Sequence, residues 1–376
     1  MTRSSRGRYV GIAVGVTLLI AACSPPTSNG SSGTASGGTN AATATSADAF
    51  GGIQGLITAA KKEGALNVIA LPPDWANYGE IIKGFQDKYG IKITSANPDG
   101  SSQDEVNAVN QLKGTSRAPD VMDMGMAVTL ANTKLFAPYQ VQTWQDIPAS
   151  QKDAGGLWFQ DYGGYMSIGY DSAKVPDVTS VQDLLKPAFK GKVALNGDPT
   201  QANAALNGVM MTSLANGGSL DDVSKGVDFF HQLKQVNNFI PVQANTATIK
   251  NGSTPVVLDW DYLNAAAKTQ VPTWKVFVPS NAVLGGYYAQ SINKDAPHPA
   301  AARLWEEYLF SDEGQNLWLK GGARPVRMPA MTAGGTIDKA AAAALPAVSG
   351  TPVFMSDQQA TAAKEYLAAN WAKAIA

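Results

Sequence analysis

Short apolar segments alternate with amphipathic helical segments along most of the chain, and this alternation constrains the fold more than any other feature of the sequence. Residues 65–71 form an apolar run that ends at Pro72-Pro73, which predicts a buried strand. Residues 78–89 then place large apolar and aromatic side chains on one helical face, and Gly90 follows as a C-cap. Strands alternating with helices over short connections predict a parallel sheet covered on both faces.

The same pattern continues to the C-terminus. It predicts further strands over residues 91–94, 121–124, 192–195, 255–259, 274–278 and 287–293. Helices are predicted over residues 103–113, 127–136, 201–215, 220–237, 262–268 and 299–310. A last helix is expected to begin at Ser356, because Gln359 stands three residues further on, at the spacing of a capping box.

The first 22 residues have the pattern of a secretory signal. Arg3, Arg6 and Arg8 precede an apolar run over residues 10–22 that is too short to span a bilayer comfortably. Small residues stand immediately before Cys23, and the segment therefore resembles a bacterial lipobox, in which cleavage leaves the cysteine to be acylated. The alternative is an ordinary signal peptide with an incidental cysteine. We expect a lipid anchor on Cys23, at the outer face of the membrane.

A segment without charge or large side chains follows the cysteine. Residues 24–47 contain only Ser, Thr, Gly, Ala, Asn and Pro, which bury too little surface to offset their conformational entropy. The sequence therefore predicts a lipidated cysteine and a flexible tether over residues 23–47. Cleavage before Cys23 also removes three arginines, so that the net charge changes from −1 to −4.

Composition and missing motifs argue against several functions. One cysteine excludes an internal disulfide framework or a thiolate metal site, and the absence of a basic excess argues against nucleic acid. His231 lies on an amphipathic helix and His298 in a Pro-His-Pro loop, so both are interpreted as structural. The nucleotide-binding, serine-hydrolase and zinc-protease motifs do not occur. We expect no enzyme, no cofactor and no metal, with a secreted two-carboxylate hydrolase left open.

Five segments carry a family resemblance. Residues 59–68, 85–91, 119–121, 293–302 and 310–315 resemble, in this order, segments of bacterial extracellular solute-binding proteins with the type II periplasmic-binding fold. The resemblance implies a receptor that passes a solute to the transmembrane subunits of an ABC importer. Known members bind ferric iron, polyamines, aminophosphonates or thiamine. A sensor lipoprotein with the same fold is the further alternative.

The resemblance also implies an architecture of two α/β lobes, each a mixed or parallel sheet flanked by helices, with a two-strand hinge and the ligand in the cleft. We expect one lobe over residues 48–164 and 286–376 and the other over residues 165–285. The crossing strands are expected at residues 165–170 and 284–292. Clefts at the carboxyl ends of strands are favoured ligand sites on physical grounds as well. The protein is expected to be monomeric.

Candidate ligand contacts follow the first predicted strand. Asp74, Trp75 and Tyr78 stand there, and polyamine-binding relatives carry a similar Trp-x-x-Tyr at this place. Aromatic rings suit ammonium groups through cation–π attraction of about 0.5–2 kcal/mol each. The alternative for Tyr78 is that it begins the buried face of the helix.

A second set follows the strand at residues 255–259. Because the strand turns into a helix there, Trp260 and Asp261 are both expected to reach the cleft. Ferric-binding relatives place adjacent tyrosines at this position, whereas this chain has only Tyr262. Tyr287 and Tyr288 are adjacent but lie in the return segment, so iron is disfavoured and a ferric receptor remains the alternative.

A third candidate is the start of the helix predicted at residues 201–215. Asp198 and Thr200 precede it, and free N–H groups at a helix N-terminus bind anions, as aminophosphonate-binding relatives use them. Capping of the helix by Thr200 is the alternative.

Acidic candidates outnumber basic ones. Asp161 and Tyr162 precede the first crossing strand, and Asp123 lies in the strand at residues 121–124. The return segment lacks the acid that polyamine-binding relatives have there. The sequence therefore favours, by a small margin, a cationic or zwitterionic organic solute, polyamine-like or aminophosphonate-like.

Overall fold

The computed structural model describes residues 40–346 and 348–376. The predicted signal segment, Cys23 and residues 24–39 of the predicted tether lie outside the described residues. Within the described ranges, no helix combines the length and the hydropathy that a membrane span requires.

Strands and helices alternate as the sequence pattern predicts. The strands are β1 (Ala65–Ile69), β2 (Lys92–Ala96), β3 (Val121–Gly125), β4 (Phe136–Ala137), β5 (Phe159–Asp171), β6 (Val193–Leu195), β7 (Val256–Trp260), β8 (Trp274–Phe277), β9 (Leu284–Asn293), β10 (Arg324–Pro325) and β11 (Val353–Phe354). The helices are α1 (Ile53–Glu63), α2 (Tyr78–Tyr89), α3 (Ser102–Gln111), α4 (Met126–Ala131), α5 (Asn203–Ala215), α6 (Ser224–Gln235), α7 (Thr246–Lys250), α8 (Asp261–Ala267), α9 (Pro299–Leu309), α10 (Asp312–Lys320), α11 (Met328–Gly334), α12 (Lys339–Ala343) and α13 (Asp357–Ala374).

The long strands β5 and β9 form the centre of the main sheet and run antiparallel to each other. Strands β3 and β4 pair antiparallel with β9, and β7, β8 and β10 pair antiparallel with β5. The pairs β1–β2, β6–β7 and β9–β11 are parallel. The mixed sheet agrees with the architecture that the family resemblance implies, whereas the purely parallel sheet predicted from strand–helix alternation is corrected, because the neighbouring strands pair with two long strands of opposite direction.

The two predicted crossing segments lie side by side in this sheet. Tyr165 pairs with Gly285, and Gly163 pairs with Tyr287. A Cβ atom on Gly163 would lie 2.2 Å from the carbonyl oxygen of Gly286, so the absence of a side chain permits this close approach. Strands β5 and β9 include the two predicted crossing segments, whereas their crossing between lobes and the division into lobes stay predictions.

Local capping patterns are confirmed more closely than helix lengths. Gly90 ends α2 in the left-handed conformation, with φ 70°, and Ser356 and Gln359 form the predicted capping box of α13. The helix predicted over residues 127–136 ends instead at Ala131 and gives way to a 3-10 turn and β4. Its last apolar residues belong to the sheet, where tertiary pairing prevails over helical periodicity.

The C-terminal helix contacts both halves of the chain. α13 packs against α4 and also against α5 and α6, so it touches elements that the prediction assigned to different lobes. Trp371 holds it in place, because its ring lies 5.2 Å from that of Phe230 and 6.0 Å from that of Phe239.

Residues 40–47 belong to the folded part, although composition placed them in the tether. Buried Arg303 on α9 donates to the carbonyl oxygens of Ala42 and Ala44, at 2.9 and 2.7 Å, and to that of Pro299. Its guanidinium also lies over the ring of Tyr139. These bonds hold backbone groups, which composition does not reveal, and the folded part therefore begins no later than Asn40.

Replacing Arg303 with alanine should release this N-terminal segment. Three carbonyl oxygens lose a charged donor, which we expect to lower the free energy of unfolding by about 2–4 kcal/mol. Hydrogen exchange of residues 40–50 should rise at the same time. The exposed Arg117→Ala variant is the matched control and should change stability by less than about 0.5 kcal/mol. Unchanged exchange in Arg303→Ala would contradict this role.

Candidate ligand-binding site

A cavity of about 670 Å³ opens at the carboxyl ends of several strands. Some of the residues in each of five segments line it: 70–75 after β1, 98–105 after β2, 196–204 after β6, 243–250 around α7, and 259 with 263–270 after β7. Asp123, Tyr162 and Tyr288 complete the lining. Loops that follow parallel strands converge at such edges, which is where α/β sheets bind ligands. The cavity therefore draws on chain segments from both predicted lobes.

The lining is strongly acidic. Its carboxylic residues are Asp74, Asp99, Asp104, Glu105, Asp123, Asp198 and Asp259. Against these stands a single basic residue, the exposed Lys250 on α7. Clefts lined by one sign of charge concentrate ions of the opposite sign, so the cavity attracts cations.

Asp123 lines this cavity and has one carboxyl oxygen without a hydrogen-bond partner. The side chain lies in β3 and is only 7% exposed. Its Oδ2 accepts hydrogen bonds from the hydroxyls of Tyr78, at 2.7 Å, and Tyr162, at 3.1 Å, whereas its Oδ1 has no hydrogen-bond partner. Burial raises the pKa of the Asp123 carboxyl to about 7, while the two tyrosine hydroxyls act in the opposite direction. The carboxyl of Asp123 therefore lies at the cavity with neutral partners only, and a cation in the cavity would supply a counter-charge.

A bulge in β5 separates the roles of Asp161 and Tyr162. The pairing register with β9 shifts between Gln160 and Gly163, so one extra residue is accommodated in β5. Tyr162 reaches the cavity, whereas Asp161 is fully buried behind it and accepts a hydrogen bond from Gln290 at 2.8 Å. Burial and the neighbouring Asp123 raise the pKa of Asp161 well above its usual value.

Three aromatic side chains form one wall of the cavity. Tyr162 and Tyr288 stack with ring centroids 5.7 Å apart, and Trp75 meets Tyr288 edge-on at 5.8 Å. The indole N–H of Trp75 donates to the hydroxyl of Tyr162 at 2.8 Å, which fixes the ring. Of the three residues predicted after β1, the exposed Asp74 and Trp75 line the cavity. Tyr78 lies outside the lining and supports Asp123 by its hydrogen bond.

Asp259 supplies a second buried carboxyl, at the end of β7. It is 5% exposed, accepts a hydrogen bond from the side chain of Asn196 at 2.9 Å and another from the backbone N–H of Trp260. Burial raises the pKa of Asp259 to about 7. Ordinary strand alternation holds to this point, so Asp259 faces the cavity rather than Trp260.

Trp260, Asp261 and Tyr262 lie outside the cavity lining, contrary to expectation. Trp260 is fully buried and stacks on Tyr262 with an interplanar angle of 6°. Asp261 is also fully buried and forms an ion pair of 2.8 Å with Arg324. Trp260 still contributes indirectly, because its indole N–H donates to the hydroxyl of Tyr288 at 3.3 Å.

The remaining predicted residues divide in the same way. Asp198 lines the cavity, but Thr200 does not, and its hydroxyl donates to Asp198 Oδ1 at 2.8 Å. Because α5 begins only at Asn203, Thr200 is not its cap either. Tyr287 lies outside the lining and packs near the ring of Phe354.

Glu105 is a cavity residue that the sequence analysis missed. It lies in the first turn of α3, is nearly fully buried and accepts a hydrogen bond from the backbone N–H of Asp123 at 2.9 Å. Burial raises the pKa of its carboxyl well above the usual value. Its position could have identified it from the sequence, because residues 98–105 follow a predicted strand in the same way as Asp74 does.

Both histidines contribute to structure. The ring of His298 contacts the carboxylate of Asp120 at 2.9 Å, and the ring of His231 contacts the carbonyl oxygen of Ala374 at 2.8 Å. In the described part of the chain, no group of three or more His, Cys, Asp or Glu side chains is arranged to hold a metal ion.

The end of β3 meets the start of α5 beside the cavity. A Cβ atom on Gly125 would lie 2.2 Å from both Cβ and Cγ of Asn203. Gly125→Ala should therefore push these elements apart, at a cost of about 1–3 kcal/mol in stability, and weaken ligand binding measured by calorimetry. Gly334→Ala is the control, because a Cβ there meets no atom within 4 Å. Equal affinity in the two variants would contradict a need for this close approach.

The chain resembles one curated relative over part of its length. It is 27% identical over 135 residues to the "Fe(3+)-binding periplasmic protein" of Serratia marcescens. The match covers 34% of this chain and 39% of the relative, so the chain spans less than half of that protein's length.

Solved structures resemble the chain over most of its length. AgtB from A. tumefaciens R10, in complex with agropinic acid, has a TM-score of 0.66 at 15% identity and covers 83% of this chain and 98% of its own. AfuA from Actinobacillus pleuropneumoniae, with fructose-6-phosphate bound, gives 0.64 at 17% identity, with 83% and 98% covered. A putative spermidine/putrescine ABC transporter protein from Listeria monocytogenes gives 0.61 at 13% identity, with 82% and 99% covered. These likenesses confirm the fold class, two-lobed α/β of the periplasmic-binding type.

The family model described as "Bacterial extracellular solute-binding protein" matches residues 119–363. That range covers more than half of the chain and includes β3, both long central strands and most of the cavity segments after them. The chain belongs to the bacterial extracellular solute-binding proteins.

Proposed function

We propose that this protein is the extracytoplasmic receptor of an ABC importer and captures a small organic cation by closure of its cleft. The observation that carries the proposal is the buried carboxyl of Asp123, which lines an acidic cavity beside an aromatic wall and has no cationic partner among the described residues. The protein would act without chemical change of its solute.

The charge of the lining supports a cation over an anion. An anionic solute would meet seven carboxylic side chains and one lysine, and like charges in close contact cost several kcal/mol. The three aromatic rings add cation–π attraction, about 0.5–2 kcal/mol for each favourable contact. Similar folds hold agropinic acid and fructose-6-phosphate, so the lining residues, rather than the fold, must decide the ligand.

Closure is supported by a contact that already joins segments of the two predicted lobes. The side chain of Gln243 donates to the carbonyl oxygen of Asp99 at 3.4 Å, although the two residues lie 144 positions apart. A ligand that touches Asp123 and Asp259 together would favour the closed arrangement by its differential affinity.

Ferric iron is the second candidate, because the curated relative carries that name. Tyr262 has a buried hydroxyl without a partner, as an iron-binding phenol would need. Tyr262 lies outside the cavity lining, however, and no second tyrosine stands next to it in the chain, which supports an organic cation over iron.

A lipid anchor on Cys23 would place this receptor at the outer face of the membrane. Cys23→Ser should shift the protein from the membrane fraction to the soluble extracytoplasmic fraction, because the variant lacks the cysteine that would carry the acyl chains needed for stable anchoring. Fractionation of cells that express the two forms measures the shift. If the serine variant stayed with the membrane, anchoring through this residue would be wrong.

A thermal-shift panel tests the solute class. Diamines, polyamines, agmatine and choline form the cationic arm, whereas sugar phosphates, aminophosphonates, thiamine and ferric citrate form the other arm. A cation at about 100 times its Kd should stabilise the protein by about 2.7 kcal/mol. Stabilisation only by an anion or by iron would refute the proposed class, and turnover of any solute would refute a passive receptor in favour of a hydrolase. If cells that lack the protein still import the solute at the normal rate, a sensor would be favoured over a transport receptor.

A further inference from the structure

Two buried carboxyl groups face the cavity without a cationic partner. Asp123 and Asp259 approach it from the ends of different strands, β3 and β7, and each is at least nine-tenths buried. In the described ranges, their hydrogen-bond partners are tyrosine hydroxyls, one amide side chain and one backbone N–H, all of them neutral. A buried carboxylate is costly unless a charge of opposite sign accompanies it.

The surroundings of Asp123 add negative rather than positive charge. The titratable groups that interact with it are Tyr78 from α2, Glu105 from α3, Asp161 and Tyr162 from β5, Tyr262 from α8, Tyr288 from β9 and Glu306 from α9. Glu306 is fully buried, and neither of its carboxyl oxygens has a hydrogen-bond partner. Ionisation of Asp123 in the empty cavity would therefore place a charge among other acids.

The surroundings of Asp259 are similar. Asn196 donates to it from the loop after β6, and the phenols of Tyr262 and Tyr288 lie close enough to sense its charge. Lys250 is the basic residue of the cavity lining, and it is exposed on α7. Both Asp123 and Asp259 raise the pKa of Tyr288, so the two carboxyls lie within electrostatic reach of one phenol.

We propose that the receptor exchanges protons for its ligand: at mildly acidic pH, Asp123 and Asp259 are neutral acids in the empty cavity, and each gives its proton to solvent when the cationic solute enters. The inference rests on the proposed function, because only a cation supplies the missing counter-charge. The O–H bond of each carboxyl breaks, the proton passes to the buffer and the carboxylate pairs with the bound cation. The pKa of about 7 for both groups places this exchange near neutral pH.

The direction of the pH dependence follows from this exchange. Protons compete with the solute, so affinity should rise with pH and level off above about pH 8. For two carboxyls that titrate near pH 7, Kd should fall roughly a thousandfold between about pH 5.5 and pH 8.5, roughly thirtyfold for each group. Acidic surroundings would release the solute, and neutral surroundings would retain it.

Calorimetry tests the exchange with probes whose own charge is constant over this range. Choline, agmatine and 1,4-diaminobutane are titrated in buffers of different ionisation enthalpy at several pH values. We expect release of about two protons per bound cation near pH 5.5 and almost none near pH 8.5. Asp259→Asn should release one proton fewer, and its Kd should fall only roughly thirtyfold, rather than a thousandfold, over the same pH range.

Asp198→Asn is the matched control, because it removes an exposed acid at the same cavity. It should alter Kd modestly and leave the number of released protons unchanged. If a cation binds with the same Kd at both pH values and with no proton release, the exchange is wrong while the proposed function stands. If no cation binds at any pH, the proposed function itself fails.

Discussion

Asp123→Asn is expected to reduce the affinity for the cationic solute by about 2–5 kcal/mol, which is roughly thirtyfold to several thousandfold in Kd. The substitution keeps the size of the side chain and an acceptor for the hydroxyls of Tyr78 and Tyr162. It removes the charge that the solute would pair with. Calorimetry near pH 8 measures the loss, since proton competition is weakest there.

The same variant should not lose stability. In the wild type, the pKa of Asp123 is raised from 3.8 to about 7, so the folded state holds a proton that the unfolded state has already released. Stability of the empty protein therefore falls as pH rises from about 4 to 7, and the asparagine variant lacks this contribution. Near pH 8 it should be at least as stable as the wild type.

The exposed acid Asp87 on α2 provides the matched control. Asp87→Asn should bind the solute with unchanged Kd. If Asp123→Asn binds as tightly as this control, Asp123 is not the anchor of the cation. If it loses binding together with several kcal/mol of stability, the carboxyl supports the fold rather than the ligand.

Trp260→Ala should cost about 3–5 kcal/mol in the free energy of unfolding. The side chain is fully buried, stacks on Tyr262 and fills the space left open by Gly286, whose Cβ would lie 2.6 Å from the indole ring. A cavity of this size cannot collapse, because both neighbours are held in the central strands and α8. Urea unfolding monitored by circular dichroism measures the loss.

Trp75→Ala is compared with Trp260→Ala, because both variants remove a tryptophan side chain but from different surroundings. Trp75 is half-buried and lies on the cavity wall, so its removal should weaken cation binding by about 0.5–2 kcal/mol and leave stability nearly unchanged. A large loss of stability in Trp75→Ala, or none in Trp260→Ala, would reverse the roles that the structure assigns to these two side chains.

The fold was predictable where local signals agree with tertiary structure. Helix α2 and the cap of α13 follow from apolar spacing and from Gly90 and Ser356. The mixed sheet was not predictable from alternation alone, because strand direction depends on long-range pairing of β5 with β9. The ordered segment at residues 40–47 depends on Arg303, which lies some 260 positions away in the chain.

Site residues were predictable where they lie at or just after the end of a strand. They were not predictable where an interaction with a residue far along the chain determines the position of the side chain. Asp74, Trp75, Asp123 and Asp198 follow from positions at or after strand ends, and all four line the cavity. Asp261 was expected there too, but Arg324, which no local pattern connects to it, holds it in the interior.

The most direct test of a cationic solute is a native mass spectrum recorded after incubation with a bacterial small-molecule extract. Wild-type protein and Asp123→Asn are incubated side by side near pH 8, and the released ligand is identified by fragmentation. We expect one amine or guanidine compound per chain in the wild type and none in the variant. A phosphate, a carboxylic acid or iron retained equally by both proteins would contradict the account.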